Sequence, residues 1–170
     1  MTKEQFIELV AAEQESLRRF LRGLCNGDGF RADDIAQEAM LKAYLSFEHF
    51  QGRSRFSTWL FRIAYNCWHD HLKKNDNWPS IDDSDNGAAV RKEAQKVPDE
   101  ADPLVRSHEH QQLYMAIGRL SVQEQAVILL YYMEDKPIKE IETITGMPSG
   151  TVRSHLSRAR EHLKQYLERL

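Results

Sequence analysis

Arg153, Ser154, His155, Ser157, Arg158 and Arg160 crowd into eight consecutive positions near the end of the chain. Guanidinium and hydroxyl groups at that density can hold phosphate and donate to the edges of bases. A second group lies upstream. Phe56, Trp59, Phe61, Tyr65 and Trp68 fall within 13 residues, interleaved with Arg55, Arg62, Lys73 and Lys74. Rings among cations suit the stacking of unpaired bases beside a phosphate track. A helix that needed only to pack could use Leu and Ile. A third group, Cys67, His69 and His71, has metal-ligating side chains at an unsuitable spacing. On a helix these positions point in different directions, so no metal site is expected. No nucleophile motif, phosphate loop or acidic metal cluster appears, so neither catalytic residues nor a cofactor are expected. Cys25 and Cys67 read as buried thiols.

These residues need elements to hold them. Ile138, Ile141 and Ile144 are followed by Gly146, and Val152, Leu156 and Ala159 resume the helical period. That is two short helices about a tight corner, a helix-turn-helix, with Gly146 suited to a positive φ. Ser149 and Thr151 are candidate N-caps of the second helix. Its outward face carries the Arg and Ser residues, as a helix lying in a DNA groove would require. An ordinary helical hairpin with a solvated basic face is the alternative.

The N-terminal part reads as helical throughout. Phe6, Ile7, Leu9, Val10, Leu17, Phe20, Leu21 and Leu24 mark a first amphipathic stretch, broken by "NGDGF". A second starts at Ala32 to Asp34 and has Ile35, Ala39, Leu41 and Leu45 among its apolar positions. A third runs through 55–74, with Ser57 or Thr58 as the expected cap. No strand periodicity and no internal repeat is evident. The fold class expected is all-α: two small helical domains joined by a flexible acidic linker, the second containing the helix-turn-helix. The boundaries expected are 1–74, a linker at 75–108 and 109–170. The linker is rich in Asp, Asn, Ser, Pro and Gly and has no sustained apolar period.

Charge supports this division. The formal net charge is −3. Residues 1–74 carry +1, residues 75–108 carry −4, and the stretch 151–170 carries +3. A basic reading helix on a nearly neutral chain argues against tight autonomous DNA binding, which phosphate neutralisation would have to supply. It fits a protein that reads DNA while another subunit holds it. No apolar run approaches the roughly 20 residues needed to span a bilayer, and "MTKEQFIELVAAEQES" is not a signal peptide. Two cysteines make no disulfide framework, and a cytoplasmic, reducing setting fits.

Three motifs in order, "ADDIAQEAMLKAY" at 32–44, "RFSTWLFRIAYNCWHDHLKK" at 55–74 and "RLSVQEQAVILLYYMEDKPIKEIETITGMPSGTVRSHLSRAREHL" at 119–163, resemble an extracytoplasmic-function sigma factor, a minimal member of the sigma-70 family of RNA polymerase subunits. With the linker they cover essentially the whole chain. The resemblance implies a first domain that binds core RNA polymerase and opens the promoter minus-10 element, and a second that reads the minus-35 duplex. It implies no enzymatic activity of its own. Asp34, Gln37, Glu38, Leu41 and Lys42 match the helix face that the family lays on the polymerase clamp, and their spacing puts them on one side. A solvated face with one Glu38–Lys42 pair is the plain alternative. Arg55, Thr58, Trp59, Arg62, Tyr65, Asn66, His69, Asp70, Lys73 and Lys74 match the segment that meets the opened minus-10 strand. Asn75, Asn77 and Trp78 fall where the family captures a flipped base. Ser149, Thr151, Arg153, Ser154, His155, Ser157, Arg158 and Arg160 fall on the minus-35 reading helix, Arg153 nearer the bases and Arg158 and Arg160 nearer phosphate or partner helices.

Three positions depart from the family pattern. Ser121 stands where Pro is common and can still cap a helix. Glu142 replaces a small residue and must turn outward. His155 stands where Arg is frequent. An anti-sigma protein is a possible further partner. The competing function is a helix-turn-helix regulator that binds duplex operators without joining polymerase. The aromatic-basic stretch at 55–74 speaks against it, since operator binding does not use a strand-stacking surface.

Overall fold

The structure, a computed structural model, describes residues 1–74 and 108–169, all of whose regular elements are helical. Helix α1 (Lys3–Leu24) starts at Thr2, whose hydroxyl accepts from the Gln5 amide while the Gln5 side chain accepts from the Thr2 amide. These reciprocal bonds satisfy two donors that a helix start otherwise leaves open. Asn26 and Gly27 then take positive φ, and Asp28 caps α2 (Gly29–Ser46) through Arg31 N. The second helix thus starts earlier than its apolar period suggested, because Asp28 is the better cap. A 3-10 turn (Phe47–His49) leads towards α3 (Phe56–Lys74). Ser57 and Thr58, expected as caps of α3, lie inside its first turn. The boundary expected at 75–108 falls almost wholly outside the described residues, as do Asn75, Asn77 and Trp78.

The chain resumes with α4 (His108–Gly118). Helix α5 (Val122–Ile128) is capped by Ser121, whose hydroxyl accepts from Glu124 N at 3.2 Å. It runs on as a π-helical turn (Leu129–Met133). Helices α6 (Ile138–Thr145) and α7 (Ser149–Glu168) follow, with Gly146 between them at φ 77°. The Thr145 hydroxyl helps set this corner, donating to Ile141 O at 2.7 Å and accepting from Met147 N at 3.3 Å. The α7 N-cap is Pro148, so neither Ser149 nor Thr151 caps it. Glu142 is exposed, as the close approach of α6 to α7 requires.

In the first half α2 packs on both α1 and α3; in the second, α4, α5 and α6 pack on α7. The two halves also meet: α6 lies on α3, and α1 lies against α4 and the π turn. Their buried apolar residues form one continuous cluster, from Phe6 to Ala159. Phe20, Phe61 and Trp68 are among its fully buried members. Each such side chain contributes about 1.5–3 kcal/mol by leaving water. Gly23 is small for a reason at this junction: a Cβ there would come within 2.9 Å of Leu129 Cδ1.

Polar ties cross the junction as well. Arg19 on α1 forks onto Glu134, just past the π turn, with Nε and Nη2 at 2.8 and 2.9 Å from the two carboxylate oxygens. The Glu134 side chain is only 2% exposed. Burial pushes its carboxyl upward, and the Arg19 hydrogen bonds pull it back. The Lys136 ammonium lies 4.8 Å from the Phe61 ring centre and 3.5 Å from Ser57 Oγ. Arg55 reaches Glu140 at 3.6 Å.

Candidate nucleic-acid interface

Helix α3 presents a polar strip along one side. Arg55, Arg62, Asn66, Asp70 and Lys73 are exposed, and Trp59 is half-buried among them. Their steps of three and four keep them on one face. Lys74 is also exposed, at the helix end. Trp59 packs its ring 5.1 Å from Phe50 and 5.6 Å from Phe56 and stays partly exposed.

Thr58 and Tyr65, expected at the DNA surface, are not there. They are 1% and 3% exposed. Ser57 and Phe61 meet Lys136 on one side of α3, and Arg55 meets Glu140 on the other. Positions 58 and 65 fall on the arc between, where α6 packs. Burial pushes the Tyr65 hydroxyl well above the ordinary phenol range. The Thr58 hydroxyl is buried with no partner. His69 is half-buried on Tyr65, ring centres 4.4 Å apart, and burial lowers its pKa. Phe56, Phe61 and Trp68 are buried too. The expected surplus of stacking rings therefore reduces to Trp59, because the others fill the space between α1, α2 and α6.

The α2 face is open. Asp34, Gln37, Leu41 and Lys42 are exposed, Leu41 to 58%, while Ile35, Ala36, Ala39 and Ala43 face the core. Glu38 is half-buried and bonded to Lys42 and to His71. Phe30, 85% exposed, and Leu45, 72% exposed, extend the same stripe at both ends. Sequence reasoning missed both as surface residues. The signal was available in the steps 30, 34, 37, 41 and 45, which follow the helical repeat on the side opposite the alanines.

On α7 the free face carries Thr151, Arg153, Ser154, Ser157 and Arg158, all exposed. Ser154 Oγ donates to Gly150 O at 3.0 Å. Arg153 and Arg158 stand on opposite edges, about 140° apart at 3.6 residues per turn. Arg160 turns to its own half: Nε donates to the Tyr132 hydroxyl at 2.6 Å and the guanidinium lies over that ring. His155, expected on the outer face, is 9% exposed. It sits three residues after Val152 and four before Ala159, both fully buried, so the helical repeat turns it inward. Burial lowers its pKa. Ser149 is half-buried in the first turn. No cluster that could hold a metal occurs among the described residues.

Three helices thus offer three separate faces in the order the motifs anticipate. Residues 9–77 match Sigma-70 region 2, and residues 110–163 match Sigma-70 region 4. The chain is 32% identical over 148 residues to the ECF RNA polymerase sigma factor SigW of Bacillus subtilis, covering 85% of this chain and 79% of that one. This chain is an ECF sigma factor of the sigma-70 family. It is also 34% identical over 141 residues to the ECF sigma-E factor of Escherichia coli K12, covering 81% of this chain and 74% of that one. The fold resembles that of the sigma factor RpoE of Bartonella quintana, solved in complex with the anti-sigma factor NepR, with a TM-score of 0.77, 24% identity, and coverage of 97% and 98% of the two chains. It also resembles CnrH, solved with the cytosolic domain of CnrY, with a TM-score of 0.69, 21% identity, and coverage of 98% and 90%. In this sigma factor a cavity of about 700 Å³ opens between α1, α4, the π turn and α7. Leu113, Ile117, Leu129 and Leu163 are among the residues lining it, with Arg160 and Lys164 alongside.

Proposed function

We propose that this sigma factor joins core RNA polymerase through the α2 stripe, opens the minus-10 element along the exposed strip of α3, and reads the minus-35 duplex with the free face of α7. The observation that carries this is the α3 strip. Arg55, Arg62 and Lys73 supply cations for a single strand, Trp59 supplies a ring, and Asn66 supplies an edge-reading amide. A regulator that binds only duplex operators has no use for such a strip.

On this reading the chain is a binding subunit, and the chemistry of transcription belongs to the polymerase. It works in the cytoplasm with that polymerase; among the described residues no helix is long and apolar enough to cross a membrane. Thr58 and Tyr65 would reach the strand only where α6 has left α3. The apolar cavity at α1, α4 and α7, with Arg160 and Lys164 on its lining, is the place for a helix of an inhibitory partner protein of the anti-sigma kind.

The test is transcription reconstituted with purified core polymerase on a library of promoters. The expected result is promoter-dependent initiation, with permanganate-reactive thymines at the minus-10 element. A chain that binds duplex DNA as a dimer and is not retained by core polymerase would instead establish the operator-binding regulator.

A further inference from the structure

Glu38 lies on the α2 stripe, yet it is held from another helix. One carboxylate oxygen meets Lys42 Nζ at 3.2 Å, one turn further along α2. The other meets Nε2 of His71, on α3, at 2.8 Å. Lys42 Nζ also lies 4.0 Å from Asp70 Oδ2 on α3. Two residues of the stripe are thus tied to two consecutive residues of the strand-facing helix.

We propose that His71 is a positioning residue for polymerase binding: from α3 it fixes Glu38, and through Glu38 the Lys42 ammonium, in the array that α2 presents. This rests on the reading of the α2 stripe as the polymerase-binding face.

The tie is poorly suited to a purely structural role. His71 and Glu38 are each about one-third exposed, at 31% and 32%. Ion pairs at such exposure add little to stability. The α2–α3 contact does not need it, because Ile35, Ala39, Ala43, Leu60 and Ala64 bury completely there. What the tie does supply is direction. A free Glu on a helix surface samples several rotamers and loses that freedom when a partner binds. A Glu already held at both oxygens has lost much of it, so less remains to be lost on binding. The His71 hydrogen bond and then Lys42 also hold the Glu38 carboxyl below its ordinary pKa.

The experiment titrates the full-length chain against core polymerase at fixed salt, with thermal melting as the control. His71→Leu keeps volume and removes the donor, and should weaken binding about two- to fivefold with little change in melting. His71→Gln retains an N–H donor and should recover most of the affinity. Glu38→Ala should weaken binding by more than His71→Leu does. In the Glu38→Ala background His71→Leu should have no further effect, because the residue it positions is gone. Equal losses from His71→Leu with and without Glu38 overturn the proposal, since His71 would then act by another route. Unchanged affinity in His71→Leu, with Glu38→Ala still impaired, overturns it while leaving the α2 face in place. Unchanged affinity in Glu38→Ala removes the reading of the face itself, and the positioning role with it.

Discussion

Helix α7 turns its Arg- and Ser-bearing face to solvent, whereas α3 is half covered by the other half of its own chain. The back of α7 is narrow and aliphatic, with Val152, Leu156 and Ala159 buried, so it docks on α5 and α6 and leaves Arg153, Ser154, Ser157 and Arg158 outside. The aromatic side chains of α3 are too large and too many for one face. Phe56 and Phe61 go inward to α1, ring against Phe6 and Phe20. Tyr65 is buried on the arc met by α6, and Trp59 stays at the rim. A helix that reads an intact groove can be displayed ready-made. A helix rich in rings buries whatever apolar surface the strand does not cover, because each exposed ring leaves favourable burial unused.

Changing Tyr65 breaks this contrast most directly. As a core residue, Tyr65→Ala should cost about 3–5 kcal/mol in urea unfolding, in the range of large aromatic truncations. A loss under 1 kcal/mol with impaired strand opening would return Tyr65 to the DNA surface.

The junction of the halves comes next. Arg19→Ala leaves the Glu134 carboxylate buried without its partner and should cost about 2–3 kcal/mol, below the full penalty for a buried pair because Arg19 is itself partly exposed. The pH dependence has a definite sign. Burial already raises the Glu134 pKa in the folded chain. Losing Arg19 raises it further, so the Glu134 contribution to stability is largest at acid pH and is lost as pH rises through the folded value. The variant should therefore melt closest to wild type near pH 4 and furthest from it near pH 8. Equal differences at both pH values would mean that Glu134 escapes to solvent.

Trp59→Ala should weaken strand opening by about 1–3 kcal/mol, read as lost permanganate reactivity, with minus-35 duplex binding kept. Unchanged reactivity would leave α3 no stacking ring at all. On α7, Arg153→Ala should relax preference at one or two promoter positions, by about 1–3 kcal/mol each. Arg158→Ala should instead weaken all promoters alike and flatten the salt dependence. If Arg153→Ala also acted uniformly, the face of α7 would be a phosphate track without base readers.

The smallest effect concerns His155. Its folded pKa is depressed by burial, so its contribution to stability is present above the unfolded value and lost as pH falls below it. His155→Gln should shallow the stability loss below about pH 6.5. An unaltered acid limb would mean that His155 is not buried in solution.

The helices, their order and the corner at Gly146 were legible because each rests on local chemistry: a 3.6-residue apolar period, a cap, a residue that accepts positive φ. That Asp34, Gln37, Glu38, Leu41 and Lys42 share a side of α2 was legible in their steps of three and four, whereas its being the open side came from the family resemblance. His155 was legible too and was missed, although Val152 and Ala159 define the buried side it shares. What the sequence could not decide is which ring of α3 stays free. Phe61, Tyr65 and Trp68 share one side of the helix and Phe56 and Trp59 the opposite side, so period alone does not say which side is covered. That choice belongs to what packs on α3: α1 and α2 from nearby in the chain, and α6 from about 80 residues away. The pairing of Arg19 with Glu134, 115 positions apart, has the same origin. Local propensity sets helices and turns, whereas burial and pairing across such separations depend on which surfaces meet, and only the folded chain brings them together.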